Sequence, residues 1–307
     1  MDVVCQILIT RTEDGVFKSG DLVTGTIKYF IEEPTKYETI SINFHGKGNC
    51  WWTKTDSSAP GRNFGNTEDY VNQTICFYTG KSGEELSGAY EYPFQFLLPV
   101  NIPSSYKDGN CVIDYKIIVT FVKTTKREQF EAEIPVHAYV TSSIHEPISF
   151  GLQKKLFSMF ANNKIGLKGE LENVAVTPGA NINMTLKVNN NSNNEIFIKT
   201  ELIKCFTFMS NRGDSSTDVV LIPNTTTGYN IEKNTEENLT CIVPTFSNLF
   251  SIQNTKIIKG EYKVRVTIQM PFPYKDATVE VPVVIGKIIG EVTAPVAMKN
   301  QHYDEEK

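Results

Sequence analysis

One string that returns at a fixed spacing constrains this chain more than any other feature. Asp114-Tyr115-Lys116-Ile117-Ile118-Val119-Thr120 recurs as Glu261-Tyr262-Lys263-Val264-Arg265-Val266-Thr267, and 261 − 114 = 147. Glu133-Ile134-Pro135-Val136 is echoed by Glu280-Val281-Pro282-Val283 at the same distance, since 282 − 135 = 147. Upstream, Ser19-Gly20-Asp21-Leu22-Val23-Thr24-Gly25-Thr26-Ile27-Lys28 lines up with Pro178-Gly179-Ala180-Asn181-Ile182-Asn183-Met184-Thr185-Leu186-Lys187 at an offset of 178 − 19 = 159. The first copy is therefore 159 − 147 = 12 residues longer in its middle. Solenoid and propeller periods run roughly 20 to 50 residues, so a repeat of this length is one of whole domains. A chain of 307 residues holds two of ordinary size.

Within each copy, short runs of apolar and polar residues alternate and are broken by Gly, Pro, Asn and Asp. That is the pattern of antiparallel strands with one buried face. Strands are predicted near 4–10, 22–31, 38–52, 69–79, 89–97, 111–122 and 129–140, and again near 165–176, 181–190, 195–210, 217–223, 236–243, 257–270 and 277–286. Seven strands per copy and no long helix predict an all-β chain of two tandem immunoglobulin-like β-sandwiches joined by a short hinge. The first sandwich is assigned residues 1–145, the linker 146–163, the second sandwich 164–290 and a disordered tail 291–307. Because side chains alternate along a strand, Tyr115, Ile117, Val119 and Phe121 share a face with each other, as do Tyr262, Val264, Val266 and Ile268. The other face reads Lys263, Arg265, Thr267 and Gln269 in the second copy but contains Ile118 and Val122 in the first, which predicts that the hinge or the second domain covers the first. In the linker, Leu152, Leu156, Phe157, Met159 and Phe160 with Lys154 and Lys155 read as a connector pinned between domains, with an amphipathic turn on a membrane as the alternative.

Charge and motifs exclude more than they select. With 30 Lys+Arg against 35 Asp+Glu the net charge is −5, which gives no general attraction to nucleic acid or anionic lipid. The amino terminus has an apolar run with an acidic flank and no preceding basic residue, unlike a signal peptide, and no apolar stretch is long enough to span a bilayer as a helix. Six cysteines without a Cys-x-x-Cys pair are read as reduced thiols in the cytosol. Asn72-Gln73-Thr74 and four similar Asn-x-Ser/Thr triplets are inert without secretion. There is no phosphate loop, nucleophile elbow or His-Glu-x-x-His pair, and the four histidines show no ligand spacing. The chain is read as no enzyme, with no cofactor and no metal.

Two surface stretches are candidates for partners. Trp51-Trp52 ends a strand before a long polar segment, 53–68, read as a loop that exceeds ordinary hairpin length. Trp52, Lys54, Arg62 and Phe64 are its candidate contact residues. The turn after the repeated strand carries Lys123, Lys126 and Arg127, three cations able to pair with carboxylates or phosphates.

With these residues in view the chain resembles the arrestin-fold proteins, and among them the α-arrestins, or arrestin domain-containing proteins, from about residue 5 to 290. Val16-Phe17-Lys18-Ser19-Gly20-Asp21-Leu22-Val23-Thr24-Gly25 is similar to the family's opening turn and strand. Ile40-Ser41-Ile42-Asn43-Phe44-His45-Gly46 followed by Trp51 resembles the next, and Val281-Pro282-Val283-Val284-Ile285-Gly286 the closing strand. The most specific match is Tyr92-Pro93-Phe94-Gln95-Phe96-Leu97-Leu98-Pro99 with Pro103-Ser104-Ser105. The resemblance implies a cytoplasmic adaptor that binds receptors or transporters, by their tails or loops, and links them to endocytic, sorting or ubiquitylation factors. Peripheral association with the plasma membrane or endosomes, and oligomers, are compatible with it. By position, 53–68 resembles the finger loop and the turn at Lys123, Lys126 and Arg127 the middle loop, both facing the cargo. The tail departs from the family: Pro295 and Tyr303 are too far apart to make a Pro-Pro-x-Tyr motif for a ligase WW domain. Two alternatives compete, a scaffold like the arrestin-fold subunits of retromer-type coats and an extracellular adhesion sandwich.

Overall fold

The computed structural model describes residues 3–56, 59–141, 147–156 and 164–287. The tail assigned to 291–307 and most of the linker's apolar cluster, including Phe157, Met159 and Phe160, lie outside them. All the regular structure among the described residues is β.

In the first half the strands are β1 (Val3–Ile9), β2 (Phe17–Lys18), β3 (Leu22–Thr35), β4 (Thr39–Asp56), β5 (Ala59–Thr79), β6 (Leu86–Leu97), β7 (Tyr106–Lys107), β8 (Cys111–Val122), β9 (Arg127–Glu133) and β10 (Val136–His137). One sheet runs β1-β3-β6; the other runs β5-β4-β8-β7, with β9 also on β8. In the second half they are β11 (Ile148–Lys155), β12 (Lys164–Leu171), β13 (Ala175–Val176), β14 (Asn181–Asn191), β15 (Ile196–Met209), β16 (Ser215–Leu221), β17 (Thr227–Ile231), β18 (Thr235–Pro244), β19 (Ile258–Gln269) and β20 (Ala277–Ile285). There β11-β12-β14-β18 faces β13-β20-β19-β15-β16, with β17 also on β15. Inward residues alternate with outward ones along nearly every strand, so each pair of sheets closes over its own apolar layer.

The repeated string is the spine of both halves. β8 and β19 alternate in burial almost identically, with Tyr115 and Tyr262 at 1% and 3% exposure. The second echo is kept too, with a difference. Pro282 lies inside a continuous β20, whereas Ile134-Pro135 splits the same strand into β9 and β10. In both halves the strand's end meets a two-residue partner in parallel, Val136 with Phe17 and Val176 with Ile285.

Two sequence expectations change here. Ile118 and Val122 are half-buried, and Ile118 sits between its sheet neighbours Asn43 and Glu131 rather than under a separate layer. Residues Ile148–Lys155, assigned to the linker, form β11 and pair along their whole length with β12. The second sandwich therefore begins inside the assigned linker. The reason is visible in the strand itself: Ile148, Phe150, Leu152 and Lys154 are partly covered, while Ser149, Gly151, Gln153 and Lys155 are exposed, a period of two.

The cysteines also depart from the reduced reading. Cys50 and Cys111 are direct cross-strand partners on β4 and β8 and form a disulfide, while Cys5, Cys76, Cys205 and Cys241 remain thiols. A scan for Cys-x-x-Cys spacing misses such a pair, because the sheet and not the chain brings the two residues together. Burial pushes the Cys5 thiol up to about 12, which leaves it protonated and unreactive at neutral pH.

Candidate interaction surfaces

The stretch read as a loop is a long hairpin. β4 and β5 continue pairing past the rest of the sheet, with Trp52 opposite Phe64, Lys54 opposite Arg62 and Asp56 opposite Ala59. The four candidate residues thus share one face, because cross-strand partners point the same way. That face turns toward the second domain. Trp52 stacks on Phe64 at 5.7 Å and meets Phe208 of the second domain at 6.3 Å between ring centroids. Lys54 Nζ donates to the Ser215 carbonyl at 2.8 Å, and the Asn211 N–H donates to the Gly65 carbonyl at 3.2 Å.

Trp52 therefore has no surface left for an outside partner, being 7% exposed. Its side chain props the hairpin from within. Its neighbour Trp51 points the opposite way and is 49% exposed, so the tryptophan open to a partner is the one absent from the sequence's candidate set. Arg62 is exposed and Phe64 half-buried.

Below the hairpin, the two domains are joined by polar contacts that the sequence did not suggest. Glu68 Oε2 accepts from Thr255 Oγ1 at 2.9 Å and from the Lys256 N–H at 2.7 Å, and Tyr70 Oη shares a hydrogen bond with Thr255 Oγ1 at 2.8 Å. Burial raises the Tyr70 phenol well above its ordinary value, so it stays protonated. Lys204 Nζ donates to Tyr106 Oη at 3.1 Å and lies 5.2 Å from the Tyr106 ring centroid, a cation-π contact between the domains, and it also covers Phe206 of its own strand at 3.9 Å. Tyr106 itself donates to Asp108. At Gly48 an added Cβ would stand 2.4 Å from Ile257 Cδ1 and 2.5 Å from Tyr70 Oη, so a side chain there would have to displace both tips. Thr141 and Gln253 tie the far side, with Gln253 Oε1 accepting from the Thr141 N–H at 2.8 Å and Gln253 Nε2 donating back to the Thr141 carbonyl at 2.9 Å.

The cationic turn lies elsewhere. β4 meets β8 from Thr39 opposite Val122 to Cys50 opposite Cys111, so the turn after Val122 is at one end of β4 and the hairpin at the other. Thirteen residues separate Thr39 from Trp52 (52 − 39 = 13). At about 3.3 Å each that is roughly 40 Å along the strand. The two stretches that the resemblance turns toward the cargo therefore lie at opposite ends of β4. At the turn, Lys123 Nζ sits over the Tyr37 ring at 5.1 Å, Lys126 pairs with Glu128 at 3.1 Å, and Arg127 is exposed. The equivalent turn of the second copy, between β19 and β20, presents Pro271-Phe272-Pro273, where Phe272 is 97% exposed.

No group of three or more His, Cys, Asp or Glu among the described residues could hold a metal ion, and none of the described helices, of which there are none, could cross a membrane.

The comparisons agree with this architecture. The family model for the arrestin (or S-antigen) N-terminal domain matches residues 5–142, and that for the arrestin (or S-antigen) C-terminal domain matches residues 161–289. An arrestin domain-containing protein of Schizosaccharomyces pombe is 26% identical over 107 residues, which are 33% of this chain and 18% of that relative. The chain thus aligns with a small part of a much longer protein. With both domain models matched in tandem and two sandwiches joined by hairpin and linker, the chain belongs to the arrestin family.

Proposed function

We propose that this chain is an adaptor that binds cytosolic segments of receptors or transporters and connects them to endocytic, sorting or ubiquitylation factors. The tandem match to both arrestin domains carries this reading, supported by a name, arrestin domain-containing protein, on its relative. Two separate surfaces serve it. One is the outward face of the hairpin with Trp51; the other is the tip bearing Lys126 and Arg127, with Lys123 behind them on Tyr37. A cytoplasmic site of action belongs to the same proposal. A coat-like scaffold would instead recover coat proteins and no cargo.

Recovery of transporters or receptors from detergent-extracted membranes tests it. Arg127→Glu is expected to lower that recovery severalfold without changing the fold, because its side chain is exposed, and Lys126 is left in place because it pairs with the largely buried Glu128. Lys123 is spared, since its ammonium packs on a buried ring. Unchanged recovery removes this tip from the binding surface, and recovery of no membrane protein by the unaltered chain removes the adaptor reading.

Peripheral membrane contact is a second reading, and Phe272 favours it. A phenylalanine almost wholly in solvent, flanked by prolines at a tip, is shaped to enter the interfacial zone of a bilayer. Burying that ring contributes about 1.5–3 kcal/mol. Phe272→Asp is therefore expected to reduce co-flotation with phosphatidylserine-containing vesicles by roughly tenfold or more, and Phe272→Trp to preserve it. Equal flotation of all three would dismiss the contact.

A further inference from the structure

The outer face of β11-β12-β14-β18 carries a trough that neither the family match nor the candidate residues account for. Two adjoining hollows of about 570 and 610 Å³ share Gly151, Lys168 and Lys187 and follow the strand direction. Register places Lys155 directly opposite Lys164, and Lys168 directly opposite Lys187. All four side chains are on the exposed face. Like charges directly opposite one another destabilise a sheet, so the Lys155/Lys164 rung is a cost the fold carries with no structural return. Lys187 is offset by Glu236 at 2.5 Å, but no carboxylate among the described residues is within ion-pair distance of Lys155, Lys164 or Lys168. This concentration of positive charge stands out in a chain of net charge −5. Gly166 leaves the floor bare between the rungs, where an added Cβ would touch nothing within 4 Å.

The spacing decides what fits. Lys164 and Lys168 are four residues apart on β12, so the two rungs are separated by roughly 13 Å. A single phosphoryl headgroup cannot neutralise both. An extended peptide lying along the strands can, with acidic side chains at i and i+4, because these project to the same side at that same separation. Asn191 beside the trough offers an amide to its backbone, while the Asn189 Nδ2 donates to Glu236 Oε2 at 3.1 Å. We infer that this trough on the second domain is a docking site for an extended acidic segment of a partner protein, with carboxylates at i and i+4 set over the Lys155/Lys164 and Lys168/Lys187 rungs. The inference rests on the adaptor reading and adds a third surface to it.

The test uses the full chain and a fluorescent Thr- and Gln-rich peptide bearing two glutamates at i and i+4, with binding read by anisotropy. Saturable binding is expected. Moving one glutamate to i+1, on the opposite side of the strand, or changing the chain to K164E/K168E, is expected to weaken it roughly tenfold or more, as loss of charge-assisted hydrogen bonds does. K164E/K168E turns each like-charge rung into an opposite-charge pair, so its melting temperature is expected to be equal or higher; K164Q/K168Q supplies a second variant with no new charge. Binding indifferent to glutamate spacing or to both variants overturns the inference. So does lysine-dependent binding to phosphatidylserine vesicles without peptide binding, which would assign the trough to lipid. Peptide failure with membrane cargo still recovered sinks only the trough, whereas peptide binding with no cargo recovered sinks the adaptor reading instead.

Discussion

Trp52→Ala is expected to destabilise the protein by about 3–5 kcal/mol, the range for removing a buried aromatic ring, while Trp51→Ala is expected to stay within about 1 kcal/mol, as surface changes do. The two residues are adjacent and chemically identical, so the contrast isolates position. Trp52 is 7% exposed, stacked on Phe64 and set against Phe208 of the other domain; Trp51 is 49% exposed on the opposite face of the strand. Loss of the inner ring leaves a cavity between the hairpin and the second domain. The damage should therefore appear first at the contacts beside it. Amide exchange at Asn211, whose N–H bonds the Gly65 carbonyl, is expected to accelerate in Trp52→Ala and not in Trp51→Ala. Exchange at Leu186, on the sheet of the second domain away from this contact, should report only the global loss. Denaturant titration with amide exchange by NMR measures both quantities. Equal costs for the two tryptophans would mean that the hairpin is not oriented as described.

The strands were legible because their information is local. Alternation marks which face is buried, and β8 and β19 fall where the pattern of Tyr115 and Tyr262 places them. The family motifs turn out to be staples. Ser104 Oγ accepts from the Ala138 N–H at 2.9 Å and Ser105 Oγ from the Val136 N–H at 3.0 Å, so Pro103-Ser104-Ser105 holds the strand that Pro135 interrupts. Ser19 Oγ accepts from the Tyr139 N–H at 3.1 Å, which ties the opening turn to the same strand. What stayed hidden was pairing between distant parts. Thr53 to Glu68 is rich in Thr, Asn, Gly and Ser, residues of loops, and only the register of Ala59 to Glu68 with β4 makes that part of it a strand. Glu68 looks like any surface carboxylate until Thr255 and Lys256 are beside it. The choice between Trp51 and Trp52 depends on which face meets Phe208, a residue more than 150 positions away (208 − 52 = 156). Lys155, Lys164, Lys168 and Lys187 are unremarkable as separate residues and become a trough only through register.

The repeated tyrosine supplies the other large effect. Tyr115→Ala is expected to cost about 3–5 kcal/mol, as truncation of a fully buried aromatic does, and Tyr115→Phe about 1–3 kcal/mol. The second figure has a specific origin. Tyr115 Oη donates to the Pro103 carbonyl at 2.7 Å, in an environment whose burial raises the phenol well above its ordinary value and keeps the proton in place. Phenylalanine fills the same space but leaves that buried carbonyl without its donor. No charge forms at Tyr115 within the physiological range, so the cost is expected to be independent of pH from mildly acidic to mildly alkaline conditions. Tyr262 holds the same place on β19 and is 3% exposed, so Tyr262→Ala should be comparably severe. The apolar layers of the two sandwiches join in one buried cluster, but the two sites lie in different sandwiches, on β8 and β19. Their phenylalanine replacements are therefore expected to add within about 0.5 kcal/mol, whereas Tyr115→Phe combined with Ser104→Ala is expected to deviate from additivity, because Pro103 and Ser104 belong to one staple. Equilibrium unfolding of the single and double variants distinguishes these cases. A strong coupling between Tyr115 and Tyr262 would show that the buried cluster joining the two sandwiches transmits strain from one repeat to the other.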